Sequence, residues 1–193
     1  GLDLACLPRV KCPLPAVFDA FIIFVSRIQN PLLKRFLVNV LLQEDIAIRY
    51  LQCPASLNYH HNYKGGLLEH SVEMAWDIAG ILDLSPLERD IAVVSALLHD
   101  IGKTKTFTPD GTRTAIGRLV DHEQLTLEIC ANPLGELEQS SPHIAHMLRH
   151  AWTCYSPNAR FGFKPKTRVA KFLQKVDGHS AKRKPDSCFL PVF

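Results

Sequence analysis

The chain has 193 residues, of which 47% are apolar and 21% charged, and its formal net charge is +3. This is the composition of an ordinary globular domain with a sizeable core. No apolar run is long enough to cross a bilayer, and the start of the chain lacks the basic and apolar segments of a secretory signal. We therefore expect a cytoplasmic protein that does not bind membranes.

Six cysteines are scattered through the chain, and no two of them form a Cys-x-x-Cys pair. In a chain of this size the pattern favours reduced, mostly buried thiols in an intracellular protein. The missing spacing also argues against a structural zinc site built from cysteine. The chain starts with Gly1, from which we expect a piece of a larger multidomain protein. The sequence does not predict the oligomeric state.

Apolar residues at spacings of three and four predict helices in the first part of the chain. They cover residues 14–29, then Pro31 to about Gln43, with a third short helix over 44–52. Pro54 ends this pattern, and the turn-forming residues after it predict a loop that ends in two glycines.

Two longer helices follow. The first is expected over 66–82, with His70 on its apolar side. The second begins at a capping box formed by Ser85 and Glu88, and Gly102 is expected to stop it.

The part of the chain after these helices breaks the helical period once. Asp110 and Gly111 lie between threonine-rich arms and predict a small β-hairpin. The predicted fold class is therefore all-α, a helical bundle with one small β-hairpin. Further helices are predicted over 121–130, from 142 onward and over 166–179.

Histidine and aspartate residues on these helices suggest a metal site, because a divalent ion needs imidazoles and carboxylates that converge in space. His70 comes from one helix, and His99 and Asp100 come from the end of the next. Adjacent residues on a regular helix point about 100° apart, so these two share an ion only where the helix ends, before Gly102. Asp177, the one acid in a basic helix, is the candidate fourth ligand.

This ordered set of ligands resembles the HD superfamily of metal-dependent phosphohydrolases. The strings HHNYKGGLLEHS, ALLHDIGK and KVDGHSA resemble bacterial HD-domain 3′-to-5′ exoribonucleases and also the HD domains of a class of conjugative relaxases. The longer string CPASLNYHHNYKGGLLEH is more similar to the relaxases. The resemblance implies an HD-domain helical bundle over 54–181, with 1–53 as an N-terminal helical segment packed on it and 182–193 as a basic tail.

The resemblance also implies the chemistry of hydrolysis at phosphorus with one or two divalent ions, and it leaves Mn, Fe, Ni, Zn and Mg open. Where members of the superfamily hold two ions, further histidines contribute. The candidates here are His122 and His150, with His150 favoured over His146. Asp100 is expected to bridge two ions or to orient a water. Lys103 is expected to neutralise charge on the phosphate, although a cation is also favoured at a helix C-terminus by the dipole alone.

Three residues near the first histidine have open roles. His60 is a candidate substrate contact at the mouth of the site. His61 is expected to be a solvated loop residue that packs against aromatic neighbours. Glu69 either orients a ligand imidazole or is exposed to solvent.

Positive charge is concentrated near the end of the chain. Residues 160–184 contain nine basic residues and one acid, a net charge of +8, so the remainder carries −5. Phe161 and Phe163 lie among these cations, a combination that suits single-stranded DNA or RNA. The alternatives are a solubilising tail and a loop whose phenylalanines fill the core.

These features favour a phosphodiesterase or nuclease that acts on nucleic acid, either in DNA processing, as in relaxases, or in RNA trimming. Two other functions are open. One is a phosphohydrolase of nucleotides. The other is a non-catalytic module that holds metal and binds nucleic acid within a larger conjugation or helicase protein.

Overall fold

The computed structural model describes residues 3–154 and 161–182, and its regular structure is helical. The all-α class predicted from the sequence is confirmed. The α-helices are α1 (Pro15–Arg27), α2 (Pro31–Leu41), α3 (Ile46–Gln52), α4 (Gly66–Ala79), α5 (Pro86–Leu98), α6 (Lys103–Thr106), α7 (His122–Ser140), α8 (Pro142–Thr153) and α9 (Arg168–Ser180). Short 3₁₀ turns lie at Leu4–Cys6, Arg9–Lys11 and Ile116–Arg118.

The predicted β-hairpin is not seen in the described residues. A single antiparallel bridge joins Phe107 and Arg113. Inside it the loop closes on itself, because the Thr108 N–H donates to the Thr112 carbonyl at 2.9 Å and the two threonine hydroxyl oxygens lie 2.9 Å apart. The chain then turns into a 3₁₀ segment, so no ladder extends from the bridge.

Helices α4 and α5 form the centre of the molecule. Both are buried along most of their length, as expected for helices that are apolar on more than one face. α4 packs against α1, α3, α5 and α9, and α5 packs against α2, α8 and α9. The N-terminal helices share the same core: Tyr50 is fully buried, and its hydroxyl donates to the Leu97 carbonyl at 2.7 Å.

Helix α5 begins as predicted. The Ser85 hydroxyl accepts from the Glu88 N–H, and the Glu88 carboxylate accepts from the Ser85 N–H, which confirms the capping box. The same carboxylate pairs with Arg168 at 2.5 Å and so ties the start of α5 to the start of α9. Helix α4 ends earlier than predicted, and Leu82 is 90% exposed beyond it.

Helix α7 is longer than the sequence suggests. The helix was predicted to end near Cys130, but it continues through Pro133 to Ser140. A proline inside a helix cannot bond to the carbonyl four residues earlier, which here belongs to Ile129. The Gln43 side-chain amide donates to that carbonyl at 3.0 Å, so a residue remote in sequence satisfies the group that the proline leaves unpaired.

Within the described part of the chain, no helix combines the length and apolar character that a membrane span requires. The cytoplasmic location stays a prediction. Cys12, Cys53 and Cys130 are buried free thiols, in line with the expected reduced cysteines. The basic tail beyond Lys182, and the residues 155–160, lie outside the described residues.

Candidate metal centre

The His99–Asp100 pair lies where the chain leaves helix α5. α5 ends at Leu98, and a tight turn through Ile101 leads into α6. The His99 backbone keeps right-handed helical angles, with φ −56° and ψ −32°. The side chains of His99 and Asp100 nevertheless reach the same point, with His99 Nε2 and Asp100 Oδ2 3.4 Å apart.

Gly102 follows this turn, and its role differs from the predicted helix stop. Its backbone is in the right-handed helical region, so no left-handed cap is formed. A Cβ at this position would lie 1.9 Å from the His122 carbonyl oxygen. The Gly102 N–H donates to the Thr126 hydroxyl at 2.9 Å. Glycine thus allows the start of α7 to pack directly on the turn that contains Asp100.

A second close approach positions helix α4. A Cβ on Gly66 would lie 2.1 Å from the His61 carbonyl oxygen. The loop before α4 therefore lies directly against the first turn of the helix that holds His70. This contact explains why the sequence has glycine immediately before its leucine-rich helix.

Four side-chain atoms from three parts of the chain converge at one point: those of His70, His99, Asp100 and Asp177. His70 Nε2 and His99 Nε2 are 3.1 Å apart. His70 Nε2 lies 3.6 Å from Asp100 Oδ2 and 3.5 Å from Asp177 Oδ1. His99 Nε2 lies 3.8 Å from the same Asp177 oxygen. The structure therefore brings together the four residues on which the sequence prediction depends.

These separations match the spacing of ligands around one ion. Ligand atoms about 2.1 Å from a metal lie about 3.0 Å apart at right angles and about 3.4 Å apart at the tetrahedral angle. The observed values of 3.1 to 3.8 Å begin within this range and extend slightly above it. The residues present therefore fit a divalent metal held by two imidazoles and two carboxylates.

Hydrogen bonds on the other ring nitrogens orient both imidazoles. His99 Nδ1 lies 2.6 Å from the Ala96 carbonyl oxygen, which can only accept. The proton of neutral His99 is therefore on Nδ1, and the Nε2 lone pair faces the centre. His70 Nδ1 lies 3.2 Å from the Ser180 hydroxyl oxygen, so the His70 Nε2 faces the same centre.

The charges of the four groups are strongly coupled. Burial lowers the pKa of His70. Burial also opposes the charged form of His99, but the Asp100 and Asp177 carboxylates outweigh it and raise the pKa of His99 to about 9. Burial acts against ionised Asp100, yet His99 and Lys103 hold its pKa well below the ordinary value. The site thus favours positive charge between its two carboxylates.

Asp100 uses both of its oxygens. Oδ2 faces the two imidazoles and also accepts from Lys103 Nζ at 2.5 Å. Oδ1 lies 3.1 Å from His122 Nε2. Burial opposes protonation of His122, but its hydrogen bond to Asp100 prevails and raises the pKa of His122. Asp100 therefore has the geometry of a bridge between the four-residue centre and His122.

The structure does not bring His150 to this centre. Its Nε2 accepts from the Lys166 backbone N–H at 2.9 Å, and His150 is not among the residues that line the cavity. His146 Nε2 lies 2.7 Å from Glu138 on the exposed face of α8. Asp100 and His122 lie together on one side of the centre, and His61, His70 and Glu73 form another group whose ligand atoms lie within 4.8 Å of one another. The two-ion arrangement stays a prediction.

The centre lies in the wall of a cavity of about 520 Å³, which is within the range of small-molecule sites. His60, Lys103 and His122 also line this cavity. His60 is therefore placed as a substrate contact would be. Trp152, Leu173 and Gln174 also line the cavity.

Sequence reasoning missed a polar cluster behind His70. His61 was expected to be solvated, but its side chain is only 10% exposed, and its Nε2 lies 3.3 Å from Glu73 Oε2. Its ring does contact Tyr63, as expected. Glu69 is buried and bonds to the Tyr63 hydroxyl, so it neither orients a ligand nor faces solvent. The signal for Glu73 was its position three residues after His70, on the same face of α4.

The basic segment forms an exposed strip that runs into helix α9. Phe161 and Phe163 are 78% and 72% exposed, so neither fills the core. Lys166 Nζ lies 4.8 Å from the centre of the Phe163 ring. Lys171 and Lys175 are exposed on α9, the helix that contributes Asp177 to the cavity.

The family model for the HD domain matches residues 67–181. This covers more than half of the chain and includes all four converging residues, and the chain therefore belongs to the HD domain family. The predicted class of metal-dependent phosphohydrolases is confirmed at this level.

The curated relatives are bacterial enzymes named 3′-5′ exoribonuclease YhaM. The protein from Bacillus subtilis (strain 168) is 28% identical over 181 residues, which is 91% of this chain and 57% of the relative. The protein from Shouchella clausii (strain KSM-K16) is 28% identical over 165 residues, 82% of this chain and 50% of the relative. The protein from Listeria monocytogenes serotype 4b (strain F2365) is 27% identical over 158 residues, 79% of this chain and 47% of the relative.

The chain thus spans about half the length of the curated relatives it matches. No solved structure matches the chain. The predicted resemblance to exoribonucleases is confirmed, whereas the preference for conjugative relaxases stays a prediction.

Proposed function

We propose that this domain is a metal-dependent phosphodiesterase that cleaves single-stranded nucleic acid, with RNA as the first candidate substrate. The observation that supports it most directly is the convergence of His70, His99, Asp100 and Asp177 at the ligand spacing of one divalent ion. Since these four groups lie in the wall of a cavity of about 520 Å³, a phosphate group that enters the cavity has access to them.

The four residues would hold the metal, with imidazole and carboxylate ligands that suit Mn, Fe, Ni or Zn alike. A bound divalent ion supplies Lewis-acid polarisation of a phosphate oxygen and lowers the pKa of a water. His99 keeps its Nδ1 proton on the Ala96 carbonyl and so presents a fixed Nε2 lone pair. Asp100 offers a second oxygen to His122 at 3.1 Å, which places a proton donor and acceptor beside the centre.

Lys103 lines the same cavity as this centre. Its side chain is 16% exposed, and its Nζ lies 2.5 Å from Asp100 Oδ2. A phosphate held next to Asp100 would therefore meet a positive charge from the protein, and that charge stabilises a phosphoryl transition state more strongly in a buried site than in water.

The exposed strip of cations and phenylalanines supports a nucleic-acid substrate. Exposed phenylalanine rings stack on bases, and lysines pair with phosphates. The strip continues into α9, the helix that contains Lys171, Lys175 and Asp177. A single-stranded nucleic acid bound along the strip would therefore extend toward the metal centre. RNA is placed first because the curated relatives are named as exoribonucleases.

A nucleotide is the second candidate substrate, since the cavity volume lies within the range for small molecules.

The test is a hydrolysis assay on the purified chain, loaded separately with Mn²⁺, Ni²⁺ or Zn²⁺. The substrates are single-stranded RNA and DNA oligonucleotides of about 20 nucleotides with matched sequences, and a panel of nucleotides. We expect shortening of the RNA, and we expect bound metal near one equivalent by elemental analysis.

The matched variants are His99→Ala and Asp177→Asn, with His146→Ala as a control on the exposed face of α8. The first two should lose both metal and cleavage, and the control should keep both. Cleavage of nucleotides alone would assign the second substrate. Retained metal without any turnover would overturn the enzyme and leave a metal-holding module.

A further inference from the structure

Helix α4 places a second buried acid directly behind the first ligand. Glu73 lies one turn after His70 and is 4% exposed. A buried carboxylate is costly unless it is hydrogen-bonded. Glu73 has two polar neighbours that come from elsewhere in the chain, His61 from the loop before α4 and Ser180 from the end of α9.

The contacts form an unbroken path. His70 Nδ1 lies 3.2 Å from Ser180 Oγ, and Ser180 Oγ lies 3.4 Å from Glu73 Oε2. The same Glu73 oxygen lies 3.3 Å from His61 Nε2. Ser180 is 1% exposed, so water does not compete for its hydroxyl.

The direction of this path follows from what each group can donate. An ionised carboxylate only accepts, so the Ser180 hydroxyl donates its proton to Glu73. The lone pairs of the hydroxyl then accept from His70, which requires the His70 proton on Nδ1. That tautomer leaves the lone pair of Nε2 on the side of His99, Asp100 and Asp177.

We propose that Glu73, acting through Ser180, is a positioning residue that fixes the metal-binding tautomer of His70, and that His61 holds Glu73 in place. The proposal rests on the metal centre of the proposed function. It adds two residues, Glu73 and Ser180, that act through His70 and are not among the four proposed ligands. Outer hydrogen-bond partners of this kind alter metal affinity by about 10- to 100-fold.

The isosteric variant Glu73→Gln tests the direction of the path. The new amide can donate to Ser180, whose hydroxyl is then turned to donate to His70 Nδ1, and the His70 proton moves to Nε2. Ser180→Ala removes the acceptor altogether. Glu69→Gln is the matched control, because Glu69 is buried on the same helix but pairs with Tyr63.

The measurement is titration of the purified metal-free chain with Co²⁺, followed by calorimetry and by the visible absorption of the bound ion. We expect Glu73→Gln and Ser180→Ala each to weaken Co²⁺ binding about 10- to 100-fold, and Glu69→Gln to stay within about twofold of the parent. The absorption bands at saturation should keep their positions, because the ligand set is unchanged. The variant that carries both changes should bind Co²⁺ about as tightly as the single variant with the lower affinity, since both changes act on one path.

Co²⁺ affinity within about twofold of the parent in both single variants would overturn the positioning role. If Glu73→Gln unfolds, Ser180→Ala alone decides, because removal of a hydroxyl leaves no buried charge unpaired. A purely structural role would lower the melting temperature of the metal-free chain and leave the affinity of the folded fraction unchanged. If the parent itself binds no Co²⁺, the proposed metal centre fails, which is a different outcome from failure of the positioning role.

Discussion

His70 and Asp177 are separated by more than a hundred residues, yet His70 Nε2 and Asp177 Oδ1 lie 3.5 Å apart. The contact arises because α9 packs against both α4 and α5. Helix α9 thus places the Asp177 carboxylate next to His70 from α4 and next to His99 and Asp100 from the end of α5.

Replacement of Lys103 separates its role in catalysis from its role as a cation near a helix end. Lys103→Met keeps the length of the side chain and removes its charge. If the ammonium stabilises the transition state, kcat on a phosphodiester should fall by about 100-fold or more, with metal content unchanged. The measurement is steady-state hydrolysis with parallel elemental analysis.

Lys105→Met is the control for this variant, because Lys105 pairs with the exposed Glu128. It should leave kcat unaffected. A Lys103→Met enzyme as active as this control would leave Lys103 only its ion pair with Asp100 and the favourable interaction with the helix dipole.

Replacement of Gly102 tests the close packing of α7 on the HD turn. In Gly102→Ala the new Cβ would meet the His122 carbonyl oxygen at 1.9 Å, so α7 must move. We expect a loss of about 1–3 kcal/mol in the free energy of unfolding and weaker activity, because His122 moves away from Asp100.

Gly135 offers a matched control within α7. A Cβ there has no neighbour within 4 Å, so Gly135→Ala should stabilise the protein by up to about 1 kcal/mol. Chemical denaturation of both variants measures the difference. Equal stability of the two variants would show that the backbone yields without cost at position 102.

The hydrogen bond from Gln43 to the Ile129 carbonyl is expected to stabilise the protein because Pro133 cannot donate to that carbonyl. Gln43→Ala leaves the buried Ile129 carbonyl without the bond that a helix normally supplies, at a cost of about 1–3 kcal/mol in unfolding free energy. In a Pro133→Ala background the residue at 133 regains an N–H for this carbonyl. The cost of Gln43→Ala should then shrink, and a double-mutant cycle measures the coupling. The exposed Gln139→Ala is the control, and additivity of the Gln43 and Pro133 changes would contradict this interpretation.

The ion pair of Glu88 with Arg168 should make stability depend on acid pH. The Arg168 guanidinium and the Ser85 N–H lower the pKa of Glu88 from its ordinary 4.5 to about 2. A depressed folded-state pKa contributes stability that is complete above 4.5 and is lost as pH falls toward 2. Glu88→Gln should cost about 1 kcal/mol at pH 7 and show a flatter stability profile between pH 4.5 and 2.

Urea denaturation across this pH range provides the measurement, with Glu44→Gln as an exposed control. Parallel pH profiles for the parent and Glu88→Gln would mean that the ion pair does not persist in solution.

Local sequence signals predicted the features that depend on neighbours along the chain. The capping box at Ser85, the proline-initiated helices α2 and α8 and the apolar face around His70 all follow from spacing and capping chemistry. Two expectations failed. The predicted end of α7 near Cys130 was wrong, because the helix continues through Pro133, where Gln43 from the segment after α2 bonds to the Ile129 carbonyl. The Asp110–Gly111 turn is flanked by a single bridge and not by strands.

The sequence by itself determined the helices and the order of His70, His99-Asp100 and Asp177, since motif and periodicity are local properties. Only the tertiary structure decided which other histidines meet them. His122 reaches Asp100 because Gly102 admits the start of α7, whereas His150 is engaged by the Lys166 backbone. The spacing of Glu73 from His70 was a local signal, but its contacts with His61 and Ser180 were hidden, because they join the loop before α4 and the end of α9 to α4 only in the folded chain.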